Sequence, residues 1–223
     1  MHDGRRSGAL CLILTGLFFP AQMAAQIASP GYNIFLYDIS VLGISACGTF
    51  AAATSGNTDP VCSPLHLVFN VGIILHGLLS VAGIWLTRHY WPQGKLASSA
   101  LLLLALGGVG AMMVGAYPLD DHLTLHVLGA VIAIAAPGLG LLLMGAPLRQ
   151  VHPQLALWST FGGLLILLAG LGHALGGVPL GRGTMERLAV WPQTLWLVSA
   201  GLALLGNEMH TRSGFAQPVA TAH

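Results

Sequence analysis

Charged residues are scarce in this sequence. Aspartate, glutamate, lysine and arginine together make up 7% of its 223 residues, against about 25% in a soluble globular domain. The net charge is only +1, so the chain lacks the basic excess with which proteins bind nucleic acid. The scarcity of charge therefore excludes a soluble domain of ordinary composition, and no nucleic acid partner is expected.

Familiar catalytic motifs are also missing. The sequence has no Cys-x-x-Cys pair, P-loop, dinucleotide fingerprint, nucleophile elbow or His-Glu-x-x-His zinc motif. Its cysteines are Cys11, Cys47 and Cys62. Cys11 falls inside the first apolar run, where a small buried side chain is expected. Cys47 and Cys62 share one loop predicted to be external, where either a disulfide or two free thiols would be compatible with the sequence.

Long apolar runs dominate the chain instead. Runs of about 20 apolar residues are long enough to cross a bilayer as helices, and they predict an all-α membrane protein with one transmembrane domain over residues 1–223. Six spans are expected, at residues 8–28, 64–86, 97–116, 122–144, 154–176 and 188–206, with a flexible cytoplasmic tail at 207–223. Arg5 and Arg6 before the first run also fit a signal peptide. The length of that run and the five spans after it favour an uncleaved helix.

The positions of the basic residues predict the orientation. If both termini are cytoplasmic, six basic residues are cytoplasmic and two are external, as the positive-inside rule requires. The six are Arg5, Arg6, Arg88, Lys95, Arg149 and Arg212, and the two are Arg182 and Arg187. If residues 34–53 formed a seventh span, four of the eight basic residues would be cytoplasmic and four would be external. We therefore predict that this stretch is a partly ordered external segment, in a protein of the bacterial inner (plasma) membrane.

Ionisable side chains concentrate at the external end of the predicted bundle. Such residues are costly inside a membrane and usually mark function, so we predict an outward-facing polar pocket. The catalytic candidates are His126, Asp120, Arg187 and Glu186. The candidates for ligand binding are Asp38, Ser40, His66, Asn70, Gln22 and Gln26. Arg187 is expected to pair with Asp120 or Asp38, whereas Arg182, between two glycines, is assigned to a loop.

Two chemistries fit such a pocket. His122 and His126 are four residues apart, so both imidazoles lie on one face of a helix and could bind a single ion. The candidate metal ligands are His122, His126, Asp121 and His173, and the cofactor would be zinc or another divalent transition metal. A metal with an open position would activate water for hydrolysis. Alternatively, chains of Asp and His could relay protons, as in transporters.

Short motifs resemble a family of six-helix bacterial and archaeal membrane proteins, the "domain of unknown function 998" family. Spread over roughly residues 10–206, they are Ser-Val-Leu-Gly at 40–43, Phe-Asn-Val-Gly at 69–72 with Gly77, Gly-Ala-Tyr-Pro at 115–118 with Asp120, Leu-His at 125–126 with Ala130, and Glu-Arg-Leu at 186–188. The resemblance implies six helices and singles out His126 over His122. The family often has Asp where this chain has Val41, so Asp38 would have to supply that carboxylate.

These observations predict an integral membrane protein with an outward-facing His/Asp/Asn/Arg pocket. The leading hypothesis is a metal-dependent, hydrolase-like enzyme that acts on a lipid-like or small amphipathic substrate. One alternative is a small-molecule or proton-coupled transporter. Another is a non-catalytic membrane component that assembles with itself or with a partner through glycine-rich helix faces, because small residues let helices approach closely.

Overall fold

The computed structural model describes residues 2–49, 60–176 and 180–206. Its helices are α1 (His2–Leu14), α2 (Phe18–Ala28), α3 (His66–Thr87), α4 (Lys95–Ala116), α5 (Leu123–Leu148), α6 (Pro153–Ala174) and α7 (Arg182–Leu205). Two residue pairs, β1 (Gly48–Thr49) and β2 (Pro60–Val61), form a short antiparallel ladder. The tail predicted at 207–223, which includes Arg212, lies outside the described residues.

Six helical stretches of the described chain are long and apolar enough to cross a membrane. They are Gly4–Ala28, His66–Tyr90, Lys95–Ala116, Leu123–Leu148, Pro153–Ala174 and Arg182–Leu205. This confirms the predicted all-α fold with six spans, and the protein is a multi-pass membrane protein. The sixth span begins earlier than predicted, at Arg182, because the first turn of α7 packs on the external segment, where the Thr184 amide donates to the Phe35 carbonyl at 3.2 Å.

The first span is two α-helices joined by a 3-10 turn, Thr15–Leu17. Pro20 lies three residues after this turn and has no amide hydrogen, so it cannot make the helical hydrogen bond to the Gly16 carbonyl. Within the turn, the Phe18 amide donates to the Thr15 carbonyl, three residues back, and this shorter bond tightens the helix locally. The break leaves α1 and α2 in one continuous span.

The spans pack as a closed ring in chain order. Each of α3 to α7 lies on its neighbours in sequence, and α1 packs on both α3 and α7. Glycine makes the closest of these contacts possible: a Cβ at Gly110 of α4 would lie 2.5 Å from the Ala133 nitrogen and 2.6 Å from the Gly129 oxygen of α5. Contacts this close are available only to a residue without a side chain.

The largest buried core lies in the half of the bundle predicted to be cytoplasmic. The rings of Trp91 and Trp196 stack there with centroids 5.5 Å apart, and the Trp196 indole donates to the Ser159 hydroxyl at 2.7 Å. Leu104, Leu141 and other fully buried residues surround them. A second, smaller core lies in the opposite half, where Ile39 and Leu42 of the external segment pack with Phe18 and Phe69.

The external segment contains a 3-10 turn, Ile39–Gly43, in which all five residues are buried. Its described part has no helix long enough to cross the membrane, as predicted for a partly ordered segment that dips into the bundle. The alternatives for the two cysteines are resolved, because Cys47 and Cys62 form a disulfide. This bond ties the end of the segment to the chain just before α3.

Candidate functional site

Arg187 of α7 fastens the external segment to the bundle. Its side chain is buried, and its Nη1 donates to the carbonyls of Ile34 at 2.7 Å, Tyr37 at 3.2 Å and Gly183 at 2.8 Å. Its Nη2 donates to the Tyr32 hydroxyl at 2.8 Å. The sequence predicted that Arg187 would pair with Asp120 or Asp38 across the pocket mouth. Arg187 instead has these other partners. The guanidinium satisfies the Ile34 and Tyr37 carbonyls of a non-helical segment, which have no helical partners.

Gly183 lets the external segment reach α7. A Cβ at this position would lie 2.3 Å from the Tyr37 carbonyl oxygen and 2.6 Å from that of Ile34. Any side chain would therefore push the segment away from Arg187. This close approach places Asp38, the next residue of the segment, beside the first turn of α7.

An ion pair joins the external segment to the start of α7. Arg182, which the sequence analysis assigned to a loop, is the first residue of α7. Its Nη2 donates to Asp38 Oδ2 at 2.7 Å and its Nε reaches the same oxygen at 3.3 Å. Arg182 Nη2 also lies 3.1 Å from His173 Nε2 of α6. Three separate elements therefore meet at one polar cluster.

The second oxygen of Asp38 has a different environment. Asp38 Oδ1 is buried and lies 3.2 Å from His173 Nε2, but no described group makes a well-directed hydrogen bond to it. Burial would raise the pKa of the Asp38 carboxyl, but the His173 imidazole and the Arg182 guanidinium outweigh it and hold that pKa below its usual range. The Asp38 carboxylate is thus ionised at neutral pH, with one oxygen available to a ligand.

Glu186 completes the cluster from the next turn of α7. One of its oxygens accepts a hydrogen bond from the Ile39 amide, so the external segment also fixes this carboxylate. Ligand atoms of Asp38, His173 and Glu186 all lie within 4.8 Å of one another. Among the described residues, these three side chains form the group that could hold a metal ion. We refer to Asp38, His173 and Glu186 as the acid–His cluster.

A cavity of about 380 Å³ begins at the acid–His cluster. Its polar end also includes Ser40, His126 and Arg182, while its walls are apolar residues of α5 and α6. Two of the wall residues, Val131 of α5 and Leu171 of α6, are 57% and 59% exposed on the lipid-facing surface. The cavity therefore opens sideways between the outer halves of these two helices, rather than only toward the aqueous side.

His126 forms part of the cavity wall with a fixed ring orientation. Its side chain is buried, and Nδ1 lies 2.8 Å from the Tyr117 carbonyl oxygen. A carbonyl only accepts, so Nδ1 must carry the proton, and Nε2 is then the accepting nitrogen of the neutral ring. His122, by contrast, is an exposed residue whose Nε2 lies 3.6 Å from Asp121. The structure thus separates two histidines that the sequence had treated as one possible ligand pair.

Several other candidates from the sequence support the site without lining the cavity. Asn70 Nδ2 donates to the Gly43 carbonyl at 2.9 Å, and His66 Nδ1 lies 3.0 Å from the Ser63 carbonyl. Gln22 accepts from the Trp191 indole at 3.1 Å, and Gln26 lies 3.3 Å from Arg187 Nη2. These four side chains hold the external segment and the outer helix ends in place. Arg182, which pairs with Asp38 and lines the cavity, is the site residue that the sequence analysis missed, although its position between two glycines at an acid-rich end was a signal.

Asp120 holds the far end of the external segment. Its Oδ2 accepts hydrogen bonds from the Ser45 amide at 2.8 Å, the Ser45 hydroxyl at 2.9 Å and the Ala46 amide at 3.0 Å. Desolvation would raise the pKa of this carboxyl, but these hydrogen bonds outweigh it and hold the pKa below its usual range. Asp120 therefore acts on the segment, not on the cavity.

This arrangement predicts a pH-dependent contribution to stability. A carboxyl whose pKa is depressed by folding stabilises the fold above its unfolded pKa of about 3.9, and this contribution is lost as the pH falls through the folded value. Asp120→Asn should therefore lower the melting temperature of the detergent-purified protein at pH 7, and the difference from the wild type should shrink below about pH 4. The exposed neighbour provides the control: Asp121→Asn should leave the melting temperature unchanged. Equal effects of both substitutions would contradict the assignment.

The comparisons with known proteins place the chain in a family. No curated protein and no solved structure matches it. A family model described as "Protein of unknown function (DUF998)" matches residues 12–203, which is well over half of the chain and includes every residue of the acid–His cluster. The resemblance noted in the sequence motifs is thereby confirmed. The chain belongs to the DUF998 family of proteins of unknown function.

Proposed function

We propose that this protein is a metal-dependent membrane enzyme of the hydrolase type that acts on a lipid-like or small amphipathic substrate. The observation that carries the proposal is the position of the acid–His cluster. Three side chains of the kind that bind divalent metals converge from the external segment, α6 and α7. They do so at the polar end of an otherwise apolar cavity that opens toward the bilayer.

The acid–His cluster fits a divalent metal in its chemistry. One imidazole nitrogen and two carboxylate oxygens are ligands that zinc accepts, and three protein ligands leave a position for water or substrate. Asp38 Oδ1 is buried without a well-directed hydrogen bond, and a cation would supply the partner that buried polar atoms normally have. When bound, such a metal polarises a carbonyl or phosphoryl oxygen and acidifies its bound water.

The residues around the acid–His cluster have roles that follow from their contacts. Arg182 holds Asp38 through Oδ2, which leaves Oδ1 directed to the shared site, and the Ile39 amide holds Glu186. Hydrogen bonds of this kind orient the ligands of a metal site. His126 borders the same cavity and, with Nδ1 on the Tyr117 carbonyl, can accept a proton at Nε2. It is the general base of the proposal.

The shape of the cavity supports the proposed substrate class. A volume of about 380 Å³ lies within the range of small-molecule sites, about 300–1,000 Å³. The apolar walls would take a short stretch of hydrocarbon, while an ester, amide or phosphoryl group would lie at the acid–His cluster. Because the opening lies between α5 and α6, such a molecule could enter from the outer part of the bilayer without crossing water.

Metal binding tests the proposal directly. We expect detergent-purified protein to bind zinc or another divalent transition metal in near-stoichiometric amount, measured by mass spectrometry and by calorimetric titration of the apoprotein. Asp38→Asn, Glu186→Gln and His173→Gln should each weaken binding by about tenfold or more, the range seen even for outer-shell partners of metals. His122→Gln is the matched control and should bind as the wild type does. Equal metal content in all variants, or none in the wild type, would rule the proposal out.

One observation favours the transporter as a second candidate. A smaller cavity of about 40 Å³ continues inward from Ser40, His126 and Glu186 to His76 and Gln193. Gln193 Nε2 is buried there without a hydrogen bond from the described residues. This could be the outer half of a proton path. Proton flux into proteoliposomes that His76→Leu abolishes, from a protein that binds no metal, would establish the transporter instead.

A further inference from the structure

A second groove lies at the opposite end of the bundle, where α3 and α4 join. It has a volume of about 370 Å³. Its walls are apolar side chains of both helices, Val81, Ile84, Leu101, Leu102 and Ala105. Its rim is polar, with Arg88, His89, Gln93 and Ser98. The groove thus runs from the membrane interior to a polar edge, and it shares no residue with the acid–His cluster or its cavity.

Arg88 is held in a defined position at the rim. Its Nη1 donates to the Trp85 carbonyl at 2.7 Å, and its guanidinium carbon lies 4.0 Å from the centroid of the Trp85 ring. A guanidinium has five N–H donors in a planar fork, so most of them are still available on this exposed side chain. Stacking on an indole restricts the guanidinium while leaving its edge able to bind a phosphate in bidentate geometry.

The charge of this end favours an anion. Among the described residues, the basic residues at this end are Arg5, Arg6, Arg88, Lys95 and Arg149, and the acid is Asp3. The other described acids, Asp38, Asp120, Asp121 and Glu186, lie at the opposite end. An excess of five basic residues over one acid attracts the negatively charged lipids of the leaflet predicted to be cytoplasmic.

From these features we infer that the groove between α3 and α4 is a binding site for an anionic phospholipid. The headgroup phosphate lies against the edge of the Arg88 guanidinium. One acyl chain lies along the apolar walls, beside Leu102. Trp85, which also lines the groove, is typical of the membrane interface, where an aromatic ring contacts both the lipid headgroups and the acyl chains. The site is at the far end of the bundle from the acid–His cluster and does not depend on the function proposed there.

Lipid retention by the purified protein tests this inference. Detergent-solubilised protein is titrated with phosphatidylglycerol and with phosphatidylcholine of the same acyl chains, and bound lipid is measured by native mass spectrometry. The wild type should prefer phosphatidylglycerol, and Arg88→Gln should reduce its retention about fivefold, the scale expected for one basic residue near an anionic lipid. Arg149→Gln, an exposed arginine at the same end, should stay within about twofold of the wild type.

A second pair of variants tests the groove itself without changing any charge. Leu102→Ala removes an exposed wall residue and should lower phosphatidylglycerol retention about threefold, while Leu106→Ala, one turn further along α4 and outside the groove lining, should not. Melting temperatures establish that all four variants are folded. Equal losses of phosphatidylglycerol retention in Arg88→Gln and Arg149→Gln would show that only the general surface charge attracts the lipid. Unchanged retention in Leu102→Ala would show that the groove is not the site. Either result overturns the inference.

Discussion

Arg187→Met is expected to cause the largest loss of stability of any single substitution at the outer end of the bundle. The change removes the donors to three carbonyls and to the Tyr32 hydroxyl. Each buried acceptor left unpaired costs about 1–3 kcal/mol. A loss of about 3 kcal/mol corresponds to about 6–12 °C in melting temperature for a domain of this size. Thermal unfolding of the detergent-purified protein measures this loss.

The same variant should also disturb the proposed metal site, since Asp38 and the Ile39 amide belong to the segment that Arg187 holds. Limited proteolysis should cut residues 32–47 faster in Arg187→Met than in the wild type, and metal affinity should fall. Arg187→Lys keeps the charge but supplies fewer donors, so its melting temperature should be intermediate. Arg149→Met, a change at an exposed arginine, is the control and should melt as the wild type does. An unchanged melting temperature in Arg187→Met would show that these hydrogen bonds do not hold the segment.

Ala130→Phe is expected to abolish ligand binding while leaving the metal in place. Ala130 lines the cavity beyond the acid–His cluster. A phenyl ring at this position would occupy the space in which the hydrocarbon part of the proposed substrate binds. Each CH₂ group excluded from burial costs about 0.8 kcal/mol. Losing roughly four such groups weakens binding by about 200-fold. Energy transfer from tryptophan to a pyrene-labelled fatty acid provides the measurement.

Leu128→Phe is the matched control for this experiment. Leu128 is on the same helix, 49% exposed and outside the cavity lining, so the larger ring would face the bilayer. This variant should bind the probe as the wild type does, and both variants should retain their metal. If Ala130→Phe binds the probe with unchanged affinity, the cavity is not the substrate site, even if the acid–His cluster holds a metal.

The number and approximate limits of the spans could be predicted from the sequence, because hydropathy is a local property. Twenty apolar residues without charge predict a membrane helix wherever they occur. The start of the sixth span was less well predicted because Arg182 and Glu186 interrupt the apolar pattern. Their charges are compensated by Asp38 and the Ile39 amide of the external segment, which local hydropathy does not register.

The partners within the candidate site were much harder to predict. His122 and His126 share a helical periodicity, so the sequence favoured them as a pair. The structure leaves His122 exposed and brings His173 to Asp38. Arg187 was expected to pair with an acid, but that contact belongs to Arg182. Periodicity predicts which residues share a face of one helix, but it does not predict which faces of different helices are in contact.

The sequence by itself determined that this protein is a bundle of six membrane helices, with most of its acidic residues gathered at one end. Composition and spacing are sufficient for both conclusions. Only the tertiary structure decided that Asp38 and Glu186 meet His173 at the end of a side-open cavity. Part of this arrangement is a hydrogen bond that the Ile39 amide donates to Glu186 across 147 positions. That meeting depends on helix packing and on the close approach at Gly183, which are set by shape complementarity between distant parts of the chain.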